Sequence, residues 1–88
     1  MINKYRKEID LIDQEMKQLF LKRMAITKNV AEYKKQNKLP IFDANREKEI
    51  FASLTNDIND PTLKKLYQSF LFKVVELSKI YQKEQNND

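Results

Sequence analysis

The first 39 residues contain neither glycine nor proline, and their apolar positions recur in steps of four and three. Tyr5, Ile9, Ile12, Met16, Leu19, Ile26, Val30 and Tyr33 trace one seam, with the spacing of a coiled coil rather than the broader face of a compact bundle. A helix over residues 3–36 would be roughly 50 Å long at ~1.5 Å per residue. A compact chain of 88 residues has a radius of gyration of only about 12 Å. Such a helix projects beyond its own domain. An exposed apolar seam of that length needs a partner, and the simplest one is a second copy of the chain.

The pattern breaks at residues 37–42, where Pro40 removes a backbone donor and restricts Leu39. Asp43 then stands in N-cap position ahead of a short helix to about residue 55. After a turn over residues 56–59, Asp60 and Pro61 pair an N-cap acid with proline at the first helical position. The third helix carries Leu63, Tyr67, Phe70, Val74, Leu77 and Tyr81 at four-three spacing, and the polar residues 83–88 are expected to fray. The expected fold is all-α: one domain over residues 1–88, with helices in the order long, short, long.

Composition narrows the chemistry. The chain has no Gly, no Cys and no His. It therefore lacks glycine-rich phosphate loops, thiol nucleophiles, disulfides, histidine bases and histidine-bound metals. No cofactor is expected. Seventeen basic residues stand against 13 acidic ones, interspersed along the chain, which describes a solvated helical surface better than a nucleic-acid groove. No apolar run suits a signal peptide or a membrane span, so a soluble cytoplasmic protein is expected, without nucleic-acid or membrane partners.

The informative positions are polar residues where apolar ones belong. The first seam demands an apolar residue at position 23 and has Arg23. Lys34 follows eleven residues later, within roughly 20° of the same face and about 16 Å along the axis. Like charges turned inward need an anion to answer them. An internal ion pair, or long stems that carry the charge back to water, remain open beside an anionic ligand. On the third helix, Ser78 and Gln82 share a face with Leu71 and Val75. They could orient a ligand or form an exposed polar stripe. Asp43, Arg46 and Glu47 crowd one turn, which ordinary N-terminal stabilisation also explains. Arg6 lies about 25 Å before Arg23 and roughly 100° around the helix. One small ligand could reach both only if Arg6 came from another subunit.

Taken together, these segments resemble the bacterial-type all-helical chorismate mutases over nearly the whole chain. The motifs are Y-R-K-E-I-D-L-I-D at 5–13, L-K-R-M-A-I-T-K-N-V-A-E-Y-K at 21–34, D-A-N-R-E at 43–47 and S-K-I-Y-Q at 78–82. Each is short; their order and joint presence make the combination specific. The resemblance implies an intertwined homodimer with paired long N-terminal helices, each site borrowing an arginine from the neighbouring subunit. It also implies rearrangement of chorismate to prephenate, in phenylalanine and tyrosine biosynthesis. Carried over by motif, Arg6 of the partner subunit and Arg23 clamp the substrate's carboxylates. Lys34 resembles the family lysine that reaches the ether oxygen and a carboxylate, and Gln82 resembles its second ether-oxygen donor. The resemblance likewise implies that Glu47 accepts from the ring hydroxyl, that Asp43 approaches it largely through its backbone, that Arg46 beside them could hold Glu47 in place, and that Ser78 contacts a carboxylate. Ala31 stands where several relatives have glycine.

Two other readings fit the same scaffold. An isochorismate-pyruvate lyase acts on a close isomer, but the D-A-N-R-E segment suits a ring hydroxyl and favours the mutase. A non-catalytic helical dimerisation or regulatory module has little reason to keep Arg23 and Lys34 inside a seam.

Overall fold

The computed structural model describes residues 1–87. Three helices follow one another: α1 (Ile2–Gln36), α2 (Ala44–Thr55) and α3 (Pro61–Asn86). Their starts follow local chemistry. The Asp43 carboxylate accepts from the Arg46 backbone N–H at 3.0 Å, and Asp60 accepts from those of Thr62 and Leu63. Each side chain satisfies donors that the first helical turn leaves unpaired.

The end of α1 shows how a chain without glycine turns. Lys38 has φ +54°, a left-handed conformation normally reserved for glycine. The Leu39 N–H donates to the Lys34 carbonyl at 2.8 Å and the Lys38 N–H to that of Lys35 at 3.3 Å. These two bonds make a Schellman cap. It fixes the backbone of Lys34 and swings the connector back across the helix end.

α3 is the common support. It packs against α1 on one side and α2 on the other, while α1 and α2 do not pack on each other. The molecule extends 53 Å along its longest axis and has a radius of gyration of 16.0 Å, well above the roughly 12 Å of a compact chain this size. The excess is α1, whose first 22 positions are all exposed.

The packed face differs from the one that apolar periodicity suggests. Residues buried between α1 and α3 are Thr27 and Ala31 on one side, with Leu71, Val75, Ser78 and Gln82 on the other. Thr27, Ala31 and Ser78 give this face several small side chains. The α1 seam stays open, from 40% exposure at Val30 to 64% at Leu19. Leu63 and Phe70 of the expected α3 stripe are also exposed, at 58% and 48%. A chain that buries so little apolar surface is marginal on its own. At its end, α3 runs through the polar residues 83–86. There the Asn86 amide donates to the Ala31 carbonyl at 3.1 Å, tying the last turn to α1. Residue 88, the end of the expected frayed tail, lies outside the described residues. Among the described residues, no helix is long and apolar enough to cross a membrane.

Candidate active site

Because α1 and α2 sit apart on α3, a cavity of about 310 Å³ remains between them, within the size range of small-ligand pockets. Seven of the eight side chains singled out from sequence line it: Arg23, Lys34, Asp43, Arg46, Glu47, Ser78 and Gln82. Ile26, Val30, Ile41, Ile50 and Val75 supply its apolar wall. Arg6 is not among the lining residues. It is exposed on the free half of α1, about 25 Å along the helix from Arg23.

Arg23 and Lys34 occupy one stripe of α1 with Thr27 and Ala31, and both are half-buried. The Arg23 guanidinium donates to the Ser78 hydroxyl, which in turn donates to the Val74 carbonyl at 3.0 Å. Thr27 braces the same turn by donating to the Arg23 carbonyl at 2.9 Å. Ser78 is expected from sequence to contact a ligand carboxylate; its hydroxyl here is engaged on both sides and orients Arg23.

Lys34 Nζ donates to the Ile41 carbonyl at 2.8 Å and to Gln82 Oε1 at 3.1 Å. An ammonium has three donors, so one is left for a ligand. The bond also sets the Gln82 amide. With Oε1 taken by Lys34, the amide nitrogen is the end left to donate. Gln82 is 7% exposed, so that orientation is held by packing as well.

At the opposite wall, Glu47 is paired with Lys79, 3.2 Å away. Arg46, expected from sequence to hold Glu47, reaches Glu49 instead, at 3.5 Å and with both side chains about two-thirds exposed. On a helix, positions three apart face one another and adjacent ones do not, which is why Arg46 pairs with Glu49. Lys79 is the charged lining residue that sequence reasoning missed. It stands inside the S-K-I-Y-Q motif, and its position one residue after Ser78 was the available signal. The lining cations Arg23, Lys34, Arg46 and Lys79 outnumber the acids Asp43 and Glu47 by two, so the cavity favours a small dianion. Among the described residues, no cluster of three or more acidic side chains could hold a metal ion.

A second, larger cavity of about 650 Å³ continues from the first, sharing Arg23, Arg46 and Ile50. Its walls are mostly apolar, including Leu19, Phe20, Leu54, Phe70 and Leu77.

A family model described as chorismate mutase type II matches residues 5–83. The chain belongs to the chorismate mutase type II family. Among curated relatives, a bifunctional chorismate mutase/prephenate dehydratase of Buchnera aphidicola is 39% identical over 80 residues, covering 90% of this chain and 21% of that protein. A protein of the same description from Aquifex aeolicus is 40% identical over 53 residues, covering 60% of this chain and 15% of its own length. A chorismate mutase of Methanocaldococcus jannaschii is 32% identical over 87 residues, covering 93% of this chain and 88% of that one. The chain thus spans about a fifth or less of the bifunctional relatives and most of the archaeal one. No solved structure matches it significantly.

Proposed function

We propose that this chain converts chorismate to prephenate, a cytoplasmic step of phenylalanine and tyrosine biosynthesis. In this rearrangement a C–O bond breaks and a C–C bond forms within one molecule. No proton moves to the protein and no covalent intermediate forms. The protein's task is to hold the reactive conformer and stabilise charge that develops on the ether oxygen.

The observation that carries the reading is the Lys34–Gln82 pair, 3.1 Å apart in a cavity with a cationic excess. Its two remaining donors, the third Nζ proton and the Gln82 amide N–H, belong to neighbouring side chains that line the same cavity, which suits stabilisation of a single oxygen. Arg23 holds a carboxylate in bidentate fashion, with Ser78 beside it. Glu47 accepts from the ring hydroxyl, with the Asp43 backbone next to it and Arg46 at the rim shared with the second cavity.

The second carboxylate is assigned to Arg6 of the partner subunit in an intertwined homodimer. Support comes from the open α1 seam and from the apolar cavity beside it, which leads directly to Arg23. Pairing the long helices antiparallel would cover both at once. Incubating the pure protein with chorismate tests the reading: chorismate absorbance should fall and prephenate should be the product. Pyruvate release from isochorismate with little prephenate would favour a lyase, and no turnover of either substrate would favour a non-catalytic module.

A further inference from the structure

Lys79 has no part in the roles assigned above, yet it is built into the cavity wall. Its Nζ lies 3.2 Å from Glu47 Oε2 and 5.0 Å from the centre of the Phe42 ring. One side chain of α3 therefore touches both the connector before α2 and the first turn of α2. The Lys79 and Glu47 side chains are 32% and 23% exposed, whereas the Arg46–Glu49 pair is 65% and 68% exposed. The Lys79–Glu47 pair is thus the more shielded, and it faces the cavity.

We propose that Lys79 is a positioning residue that fixes Glu47 as the acceptor for the ligand's ring hydroxyl. The proposal rests on the functional reading above. Three physical points support it. First, α2 packs on α3 and not on α1, so the place of Glu47 relative to Lys34 depends on the α2–α3 contact that Lys79 clasps. Second, Lys79 engages Oε2 and leaves Oε1 to accept. A glutamate without that tether samples several rotamers and must be ordered when the ligand binds. Third, Glu47 is a negative charge in a cavity otherwise suited to a dianion. Pairing it with an ammonium removes most of the repulsion that a doubly charged ligand would meet.

The loss of Lys79 should therefore weaken substrate capture more than it slows the chemical step. Lys79→Met keeps the aliphatic stem against Phe42 and removes the charge. We expect KM for chorismate to rise about tenfold and kcat to fall by less than about threefold. Lys79→Arg keeps a donor and should recover most of the loss. The decisive comparison uses a Glu47→Gln background, where Lys79→Met should change KM by less than about twofold because its partner carboxylate is gone. A structural role for Lys79 would act equally in both backgrounds, and thermal melts of all variants check that each is folded. Prephenate formation by the unsubstituted protein is measured first. Its absence would overturn the functional reading and this assignment together. Normal prephenate formation with an unchanged KM in Lys79→Met, or an equal rise in the Glu47→Gln background, would overturn the Lys79 assignment alone.

Discussion

Replacing Gln82 by glutamate alters one donor and almost nothing else. The side chain is 7% exposed and its Oε1 accepts from Lys34 Nζ at 3.1 Å. Glutamate keeps the size of the side chain and that acceptor. What it loses is the amide N–H, unless the carboxyl is protonated and can donate through O–H. An ordinary glutamate, with a pKa of about 4.3, is roughly 0.2% protonated at pH 7. If only the protonated form supports the reaction, turnover at pH 7 falls about 500-fold. That lies within the 10²–10³ range for removing a donor to developing negative charge. The Lys34 ammonium favours the ionised carboxylate while burial favours the neutral acid, so the two effects oppose each other and the loss should stay on the order of this value. The sign follows directly: as pH falls from about 7 to 5, Gln82→Glu should regain activity by roughly tenfold per unit. The assay is the initial rate of prephenate formation across that range, compared with the unsubstituted protein and Gln82→Ala. The alanine variant should be slow throughout and show no acid recovery. A Gln82→Glu rate within threefold of the parent at pH 7, or one that does not rise with acidity, would refute the donor role.

Two further outcomes are expected from single substitutions. Lys34→Ala should lower kcat/KM by 10² or more, from a loss of about 3 kcal/mol of transition-state stabilisation; near-parental turnover in a folded variant would remove Lys34 from the mechanism. Lys38→Gly should stabilise the chain by about 0.5 kcal/mol, because relief of the left-handed backbone exceeds the entropy that glycine adds to the unfolded state. A rise in thermal midpoint checks this, and a fall would show that the Schellman cap tolerates lysine without strain.

Much of the architecture could be read from local signals. Asp43, Asp60 and Pro61 marked the starts of α2 and α3 because capping chemistry is local and needs no tertiary knowledge. Arg23 and Lys34 stood out because charge on an apolar period has few inexpensive explanations. The face of α3 that packs within the chain was harder to see. Leu63 and Phe70 carry the stronger apolar pattern, yet Leu71, Val75, Ser78 and Gln82 are the buried ones. Apolar spacing identifies a face that must be covered, not the surface that covers it. On α1 the buried positions are the small residues Thr27 and Ala31, which leave a weak pattern. Lys38 carried no turn signal, since its left-handed backbone follows from the Schellman bonds and not from its own preference. Lys79 was missed for a different reason. Pairing between α2 and α3 is long-range, and Arg46 is the nearer cation to Glu47 in sequence though not in space.

A site completed by two chains is tested most directly by mixing two inactive variants. Arg6→Ala and Arg23→Ala should each form little prephenate alone. After subunit exchange at equal concentrations, about half of the dimers are mixed, and each mixed dimer holds one site with both arginines. We expect the mixture to regain about a quarter of the parental rate of prephenate formation. No recovery, with exchange demonstrated independently, would contradict the shared site.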